Sequence, residues 1–261
     1  LVGAVVAAVI VFGGSGGSGG PGGTAIDEQA LKGLVLPGDQ MGAAYSTFQP
    51  LFSGPVANQD VAKIVRDYPG RFVGGGAVDP SNRTAAIRQI QEAMDLGLKG
   101  INMEPGAYAA PLYADDRRLY PIYAYCEDHD IPVTMMAGGS AGPDLSYTFP
   151  VHIDRVLADF PGMKLAVTHG GWPWVHEILH IAYRRLNFYV SPDQYLCGLP
   201  GTDDYVRAAN GFLSERFLYA SSYPFIGVKD YAAWFRALPI RPEVMDQLMY
   251  RNAVRFLGLE S

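Results

Sequence analysis

Between residue 58 and the C-terminus, short apolar runs alternate with stretches whose apolar residues recur at helical spacing. This alternation confines the chain to α/β architectures with a parallel sheet. A strand that returns to its sheet through a helix re-enters it in the same direction. The runs Arg71 to Val78, Lys99 to Glu104, Ile131 to Met136, Lys164 to Val167, Asn187 to Ser191 and Arg216 to Ala220 read as strands. Helical stripes separate them: Val61, Ile64, Val65 and Tyr68, stopped by Pro69-Gly70, and then Ile87, Ile90 and Met94, preceded by the turn Asp79-Pro80-Ser81 and ended by Gly97. Leu119, Ile122, Tyr123 and Cys126 follow, then the Val151 to Phe160 segment, then Val175, Ile178, Leu179 and Ala182. Tyr231 to Leu238 and Val244 to Phe256 read as closing helices.

Two further strands are expected upstream, in the apolar run Leu1 to Phe12 and in Leu31 to Leu36, with an irregular stretch from Met41 to Gly54. Eight strands in 261 residues point to one α/β domain, 1–261, folded as a (β/α)8 TIM barrel with distortion expected at the N-terminal strands. A doubly wound open sheet fits less well, because no dinucleotide-binding glycine fingerprint follows a strand. Residues 13–23 have the Gly/Ser composition of a flexible linker, either engineered or standing in for a native loop. A phosphate-binding loop is the weaker reading there, since the lysine and Ser/Thr it needs are absent.

With 49% apolar residues the chain has material for a sizeable core, as a soluble cytoplasmic protein would. The net charge of −6, with no basic cluster longer than Arg117-Arg118 or Arg184-Arg185, argues against a nucleic-acid partner. Leu1 to Phe12 is too short to cross a bilayer as a helix and lacks the basic flank of a signal peptide, so no membrane partner is expected. The sequence does not begin with Met, and a missing or processed native start is expected. Cys126 and Cys197, far apart and in apolar surroundings, read as buried free thiols of a reducing compartment.

In a barrel, functional groups gather just past the strand C-termini. Those positions hold Glu104 with Tyr108, Met136 with Gly138-Gly139, His169 with Gly170-Gly171-Trp172, Ser191 with Asp193 and Tyr195, and Ser221-Ser222-Tyr223. Aromatic and small residues dominate, as suits a small, planar or carbocyclic organic substrate. His169 stands out because it lies between a strand and a helix, beside two glycines that permit close backbone approach, with Pro173 read into the first helical turn. Taken alone it is as readily a residue that hydrogen-bonds the loop backbone.

Together these landmarks resemble the amidohydrolase-related proteins of the aminocarboxymuconate-semialdehyde decarboxylase type. The matching stretches are Tyr68-Pro69-Gly70-Arg71-Phe72-Val73-Gly74, Gly97-Leu98-Lys99-Gly100-Ile101, Pro132-Val133 with Gly138, His169-Gly170-Gly171 with Pro173-Trp174, and Ser221-Ser222-Tyr223-Pro224-Phe225. The resemblance implies a TIM barrel, a metal-dependent hydrolase or decarboxylase of small ring-derived acids, and a homodimer. The family pattern has a His-x-His pair after the first strand, histidines after the fifth and sixth, and an aspartate after the eighth. Here no histidine precedes His129, Met136 stands at the fifth-strand position and Ser222 at the eighth; only His169 matches.

One imidazole, a thioether and a hydroxyl make a poor set for a catalytic divalent ion such as Zn²⁺, even if Glu104 and Asp193 joined His169. The favoured reading is therefore a metal-independent hydrolase without a cofactor. It would act on an activated lactone, vinylogous acid or β-keto acid, with His169 as general acid/base. Glu104 or Asp193 would orient the imidazole or act as a second base, and Ser222 would donate a hydroxyl. Met136, Trp172, Tyr195, Tyr223, Ser221 and Tyr108 would line the substrate. Non-oxidative decarboxylation is the second reading, and a catalytically inactive or engineered binding scaffold the third. A serine hydrolase is disfavoured, because Ser222 lacks a Gly-x-Ser-x-Gly elbow. His176 and His180, spaced i and i+4, read as surface or supporting histidines. His129 reads as a solvated helix end, His152 as a cap or packing residue, and Asp115 to Arg118 as a helix start with its solvated face.

Overall fold

The computed structural model describes residues 57–259, apart from 71, 81, 109, 140, 141, 224 and 225. The two N-terminal strands and the 13–23 linker expected from the sequence lie outside the described residues. Helix α1 (Asn58–Asp67) precedes β1 (Gly76–Ala77), and α2 (Arg83–Asp95) leads to β2 (Ile101–Met103). Helices α3 (Tyr120–Asp128) and α4 (Val151–Asp159) alternate with β3 (Val133–Met136) and β4 (Leu165–Thr168). Then come α5 (Val175–Arg184), β5 (Phe188–Ser191) and α6 (Thr202–Ala209), followed by α7 (Val228–Arg236), α8 (Pro242–Asp246) and α9 (Asn252–Phe256).

Every strand pair is parallel, and the spatial order β1-β2-β3-β4-β5 is the chain order. A parallel bridge from Val190 to Phe217 carries the sheet one step further in the same sense. A doubly wound sheet would reverse its order at a switch point; this sheet winds one way only, as the arc of a barrel does.

Period-2 alternation divides each strand between two environments. Ile101, Met103, Val133, Met135, Leu165, Val167, Phe188 and Val190 join the core shared with the helices. Their in-register neighbours Asn102, Thr134, Ala166 and Tyr189 face the other way, and there Ala166, Tyr189 and Leu218 pack against Ala253 and Phe256 of α9. Local signals account for several elements. Asn82 caps α2 by accepting the Ala85 N–H at 3.0 Å, and Val175, Ile178, Ile181 and Ala182 form the buried stripe of α5.

The structure corrects the sequence reading at five places. Of Arg71 to Val78 only Gly76–Ala77 pairs, and of Arg216 to Ala220 only Phe217 does. The expected helix Val244 to Phe256 is divided by a π-helical segment, Gln247–Arg251. Helix α6 was not expected, although Asp203 and Asp204 mark its first turn and Tyr205, Val206, Ala208 and Ala209 its buried face. Finally, Pro173 precedes the first turn of α5, which begins at Val175. Among the described residues no helix is long and apolar enough to cross a membrane. Both cysteines are free thiols; Cys126 is buried, which pushes its thiol up to about 12, while Cys197 is only half-buried.

Candidate active site

The strand ends bring His169 and Asp193 together. His169 directly follows β4, and Asp193 opens the 3₁₀ turn after β5, so two neighbouring strands deliver the pair. One carboxylate oxygen of Asp193 accepts two hydrogen bonds from the same residue, from the His169 backbone N–H at 2.8 Å and from its Nδ1 at 2.8 Å. Both residues are buried. The Tyr231 hydroxyl donates to the Asp193 carbonyl, and the Tyr205 hydroxyl to the Gly170 carbonyl at 2.9 Å, which fixes both turns from behind. With Nδ1 held by Asp193, Nε2 is the nitrogen left to exchange a proton with a substrate.

Backbone conformation marks the same places. His169 (φ 59), Asp193 (φ 46) and Ser222 (φ 52) adopt the left-handed region that disfavours side chains, as do Gly170 and Gly171. Conformations of this kind cost about 1–3 kcal/mol each and gather at functional sites. The fourth non-glycine case, Asp130, sits in a helix-end turn where Asp is well tolerated.

Charges set the state of the imidazole. Burial by itself would lower its pKa, but the Asp193 charge, the hydrogen bond that Asp193 accepts from Nδ1 and the Glu104 charge more than offset that and hold it above the usual histidine value. Glu104, half-buried just past β2, moves the same way for another reason. Burial raises its carboxyl, against smaller lowering effects from the Asn102 hydrogen bond and the His169 charge.

The aromatic residues form one wall. The Tyr195 ring centroid lies 5.0 Å from that of His169 and 5.6 Å from that of Trp172, on which it stacks. The Trp172 indole N–H donates to Pro200 O at 3.2 Å. Gly138 and Gly139 pass close under this wall: a Cβ on Gly138 would lie 2.7 Å from the Trp172 backbone, and one on Gly139 would strike the Tyr195 hydroxyl. Gly139 also has a φ of +62°. Gly139→Ala is therefore expected to destabilise the protein by roughly 1–3 kcal/mol, read from the denaturant midpoint. An unchanged midpoint would show that Tyr195 is not held against this turn.

Other sequence-picked residues fall differently. Met136 ends β3 beside Thr168 and is half-buried. The Tyr108 hydroxyl donates to Val78 O at 3.3 Å, a tie between two strand-end segments. Ser221 and Ser222 are half-buried and Tyr223 is exposed, and neither serine is hydrogen-bonded to the His169–Asp193 pair. Asp115 is no free helix start, since it binds His152 Nδ1 at 2.7 Å and Arg155 at 2.8 Å. His176 is exposed and pairs with Asp204 at 3.2 Å, and His129 Nδ1 bonds Tyr125 O at its helix end. Asn102 and Thr134 escaped the sequence reading; their signal is a polar residue at an inner position of an otherwise apolar strand.

Comparison with known proteins adds the family context. The amidohydrolase family model (Amidohydro_2) matches residues 40–259. A solved TIM-barrel protein from Bordetella bronchiseptica, described as uncharacterized, is 51% identical, with TM-score 0.77 over 78% of this chain and 73% of its own. Dihydroxybenzoic acid decarboxylase from Polaromonas, solved with manganese and the inhibitor 2-nitroresorcinol, is 20% identical, with TM-score 0.62 over 78% of this chain and 74% of its own. The 2-amino-3-carboxymuconate-6-semialdehyde decarboxylase of Dictyostelium discoideum is 25% identical over 160 residues, 54% of this chain and 43% of that relative. The aligned stretch thus spans less than half of that curated relative. The fold is the α/β (β/α)8 TIM barrel.

Asp193 is taken up by His169, and the thioether of Met136 is a poor ligand for a hard divalent ion. Among the described residues no three His, Cys, Asp or Glu side chains converge on one point.

Proposed function

The chain belongs to the amidohydrolase family, and from that premise we propose that it is a carboxy-lyase acting on a small ring-derived organic acid, with His169 as the proton-transfer group. The observation that carries this reading is the buried His169–Asp193 pair, 2.8 Å apart, at the C-terminal ends of adjacent strands. Two carboxylate charges hold its pKa above the ordinary histidine value, which favours the imidazolium that must donate. Non-oxidative decarboxylation needs that donor. The proton goes from Nε2 to the ring carbon, the bond to the carboxylate breaks with its electrons returning to the ring, and CO₂ leaves. The neutral imidazole regains its proton from solvent.

Hydrolysis of a lactone or activated acid is the second reading, since the same pair can protonate a leaving oxygen after water adds to a carbonyl. It ranks lower because the charges that raise the imidazole's pKa favour its acid form over the base that must activate water. The aromatic wall of Trp172 and Tyr195 supports a planar substrate in either case. A homodimer and a cytoplasmic location remain part of the proposal.

Incubating the purified chain with dihydroxybenzoic acids and with dihydrocoumarin separates the readings. Release of CO₂ from the acids supports the first, and ring opening of the lactone alone supports the second. The donor set also leads to a proposal of metal independence: turnover is expected to persist after dialysis against EDTA, with metal analysis showing well under one Zn²⁺ or Mn²⁺ per chain. Stoichiometric metal whose removal abolishes activity would overturn that part.

A further inference from the structure

The sequence leaves open whether Glu104 orients the imidazole or acts on substrate. Asp193 already holds Nδ1, so the orienting role is filled and Glu104 stands free of it. What holds Glu104 is a polar line across the inner face of the sheet. Asn102 and Thr134 are register partners on β2 and β3. The Thr134 hydroxyl donates to Asn102 Oδ1 at 2.9 Å, and Asn102 Nδ2 donates to Glu104 Oε1 at 3.3 Å. Asn102 is buried, in a strand whose other two residues are apolar and equally buried. A buried amide in such a strand is costly unless both its ends are used. Here both are, and the line of donors ends on Glu104, the second carboxylate whose charge acts on the His169 imidazole.

We propose that Glu104 is the second proton-transfer group of this site, and that Asn102, braced by Thr134, is the positioning residue that holds its carboxylate toward His169. The inference rests on the acid/base reading above. In the forward reaction Glu104 accepts the proton of an acidic O–H on the substrate ring as His169 protonates the ring carbon. Glu104 returns that proton to the same oxygen when CO₂ leaves, so it ends as it began and only His169 needs a proton from solvent. The working state pairs a protonated imidazole with an ionised Glu104, the state that the Asn102 donor favours. The groups facing Glu104 are His169, with Asp193 behind it, and Tyr108, with Asp79 behind it.

Two nuclear magnetic resonance titrations test this independently of turnover, using full-length protein with ¹³C-labelled Glu carboxyls and labelled His. Glu104→Gln assigns the Glu104 signal and is expected to lower the His169 pKa. Asn102→Leu, similarly branched but without the donor, is expected to raise the Glu104 pKa by roughly half a unit or more. Thr134→Val should shift it the same way by less, and Thr134→Ser should restore it; these also serve if Asn102→Leu does not fold. A Glu104 titration that is unmoved in the Asn102 and Thr134 variants, or a His169 titration unmoved in Glu104→Gln, overturns the proposal. With a dihydroxybenzoic acid as probe, Glu104→Gln should lower kcat by about 100-fold or more with KM little changed. Asn102→Leu should move the acid limb of the pH profile upward. If no probe is turned over while both titrations shift, the carboxy-lyase reading fails and the coupling of Glu104 to His169 stands. Full kcat in Glu104→Gln on a turned-over probe refutes proton transfer by Glu104.

Discussion

Replacing His169 by asparagine is expected to lower kcat on any substrate the protein turns over by about 10²- to 10⁴-fold, the range that proton-transfer groups contribute. Asparagine is the informative substitution because the backbone there lies at φ 59, a conformation that Asn tolerates better than Ala. It also keeps the backbone N–H that Asp193 accepts. Circular dichroism and the thermal midpoint should therefore change little while turnover collapses. Retained turnover would reduce His169 to a residue that only ties its loop to Asp193.

Asp193→Asn is expected to have the second largest effect, about 10²-fold or more in kcat, for a different reason. One carboxylate oxygen accepts both the backbone N–H and Nδ1 of His169 and the other accepts the Tyr195 N–H at 3.4 Å, so an amide that keeps the first two turns its NH2 group on the Tyr195 donor and brings no charge. The imidazole then loses most of the charge that holds its pKa up. Its titration, followed by the ring proton signal, should move downward.

The linkage has a definite sign. Because the folded-state pKa of His169 is raised, the pair's contribution to stability is fully present below the ordinary histidine pKa of about 6.5. It is lost as pH rises from there through the raised value. Glu104, raised by burial, acts in the same direction over a lower window that starts at the ordinary carboxylate range. Denaturant midpoints of the native protein should fall across the first window, and those of Asp193→Asn should be flatter there. Identical pH slopes would show that the pair does not contribute to folding in this way.

Much of the fold was legible because burial leaves a periodic trace. Val133–Met136, Leu165–Thr168 and Phe188–Ser191 fall within two residues of the runs read as strands, since a strand buried on both faces must be a short apolar run. The same rule fails where pairing stops. The run before Gly76 reads as strand, yet among the described residues the regular strand is only Gly76–Ala77. The π segment within Gln247–Arg251 leaves no mark in composition at all.

The site shows the same division. Strand-end positions named His169, Glu104, Asp193, Trp172 and Tyr195 in advance, because a barrel puts loop residues after its strands on one face whatever the loops contain. The sequence could not say which carboxylate holds the imidazole, since Glu104 and Asp193 are both acidic and both follow strands. That choice depends on which strand lies beside β4, and in three dimensions it is β5, so Asp193 takes Nδ1. The role of Asn102 was equally hidden, because its partner Thr134 lies 32 residues away and becomes its neighbour only through the register of β2 on β3. The sequence by itself determined the winding, the face and the candidate groups, all properties of local pattern. Pairing, tautomer and charge state were decided only by tertiary structure, because hydrogen bonds and Coulomb energies depend on distances that the sequence does not carry.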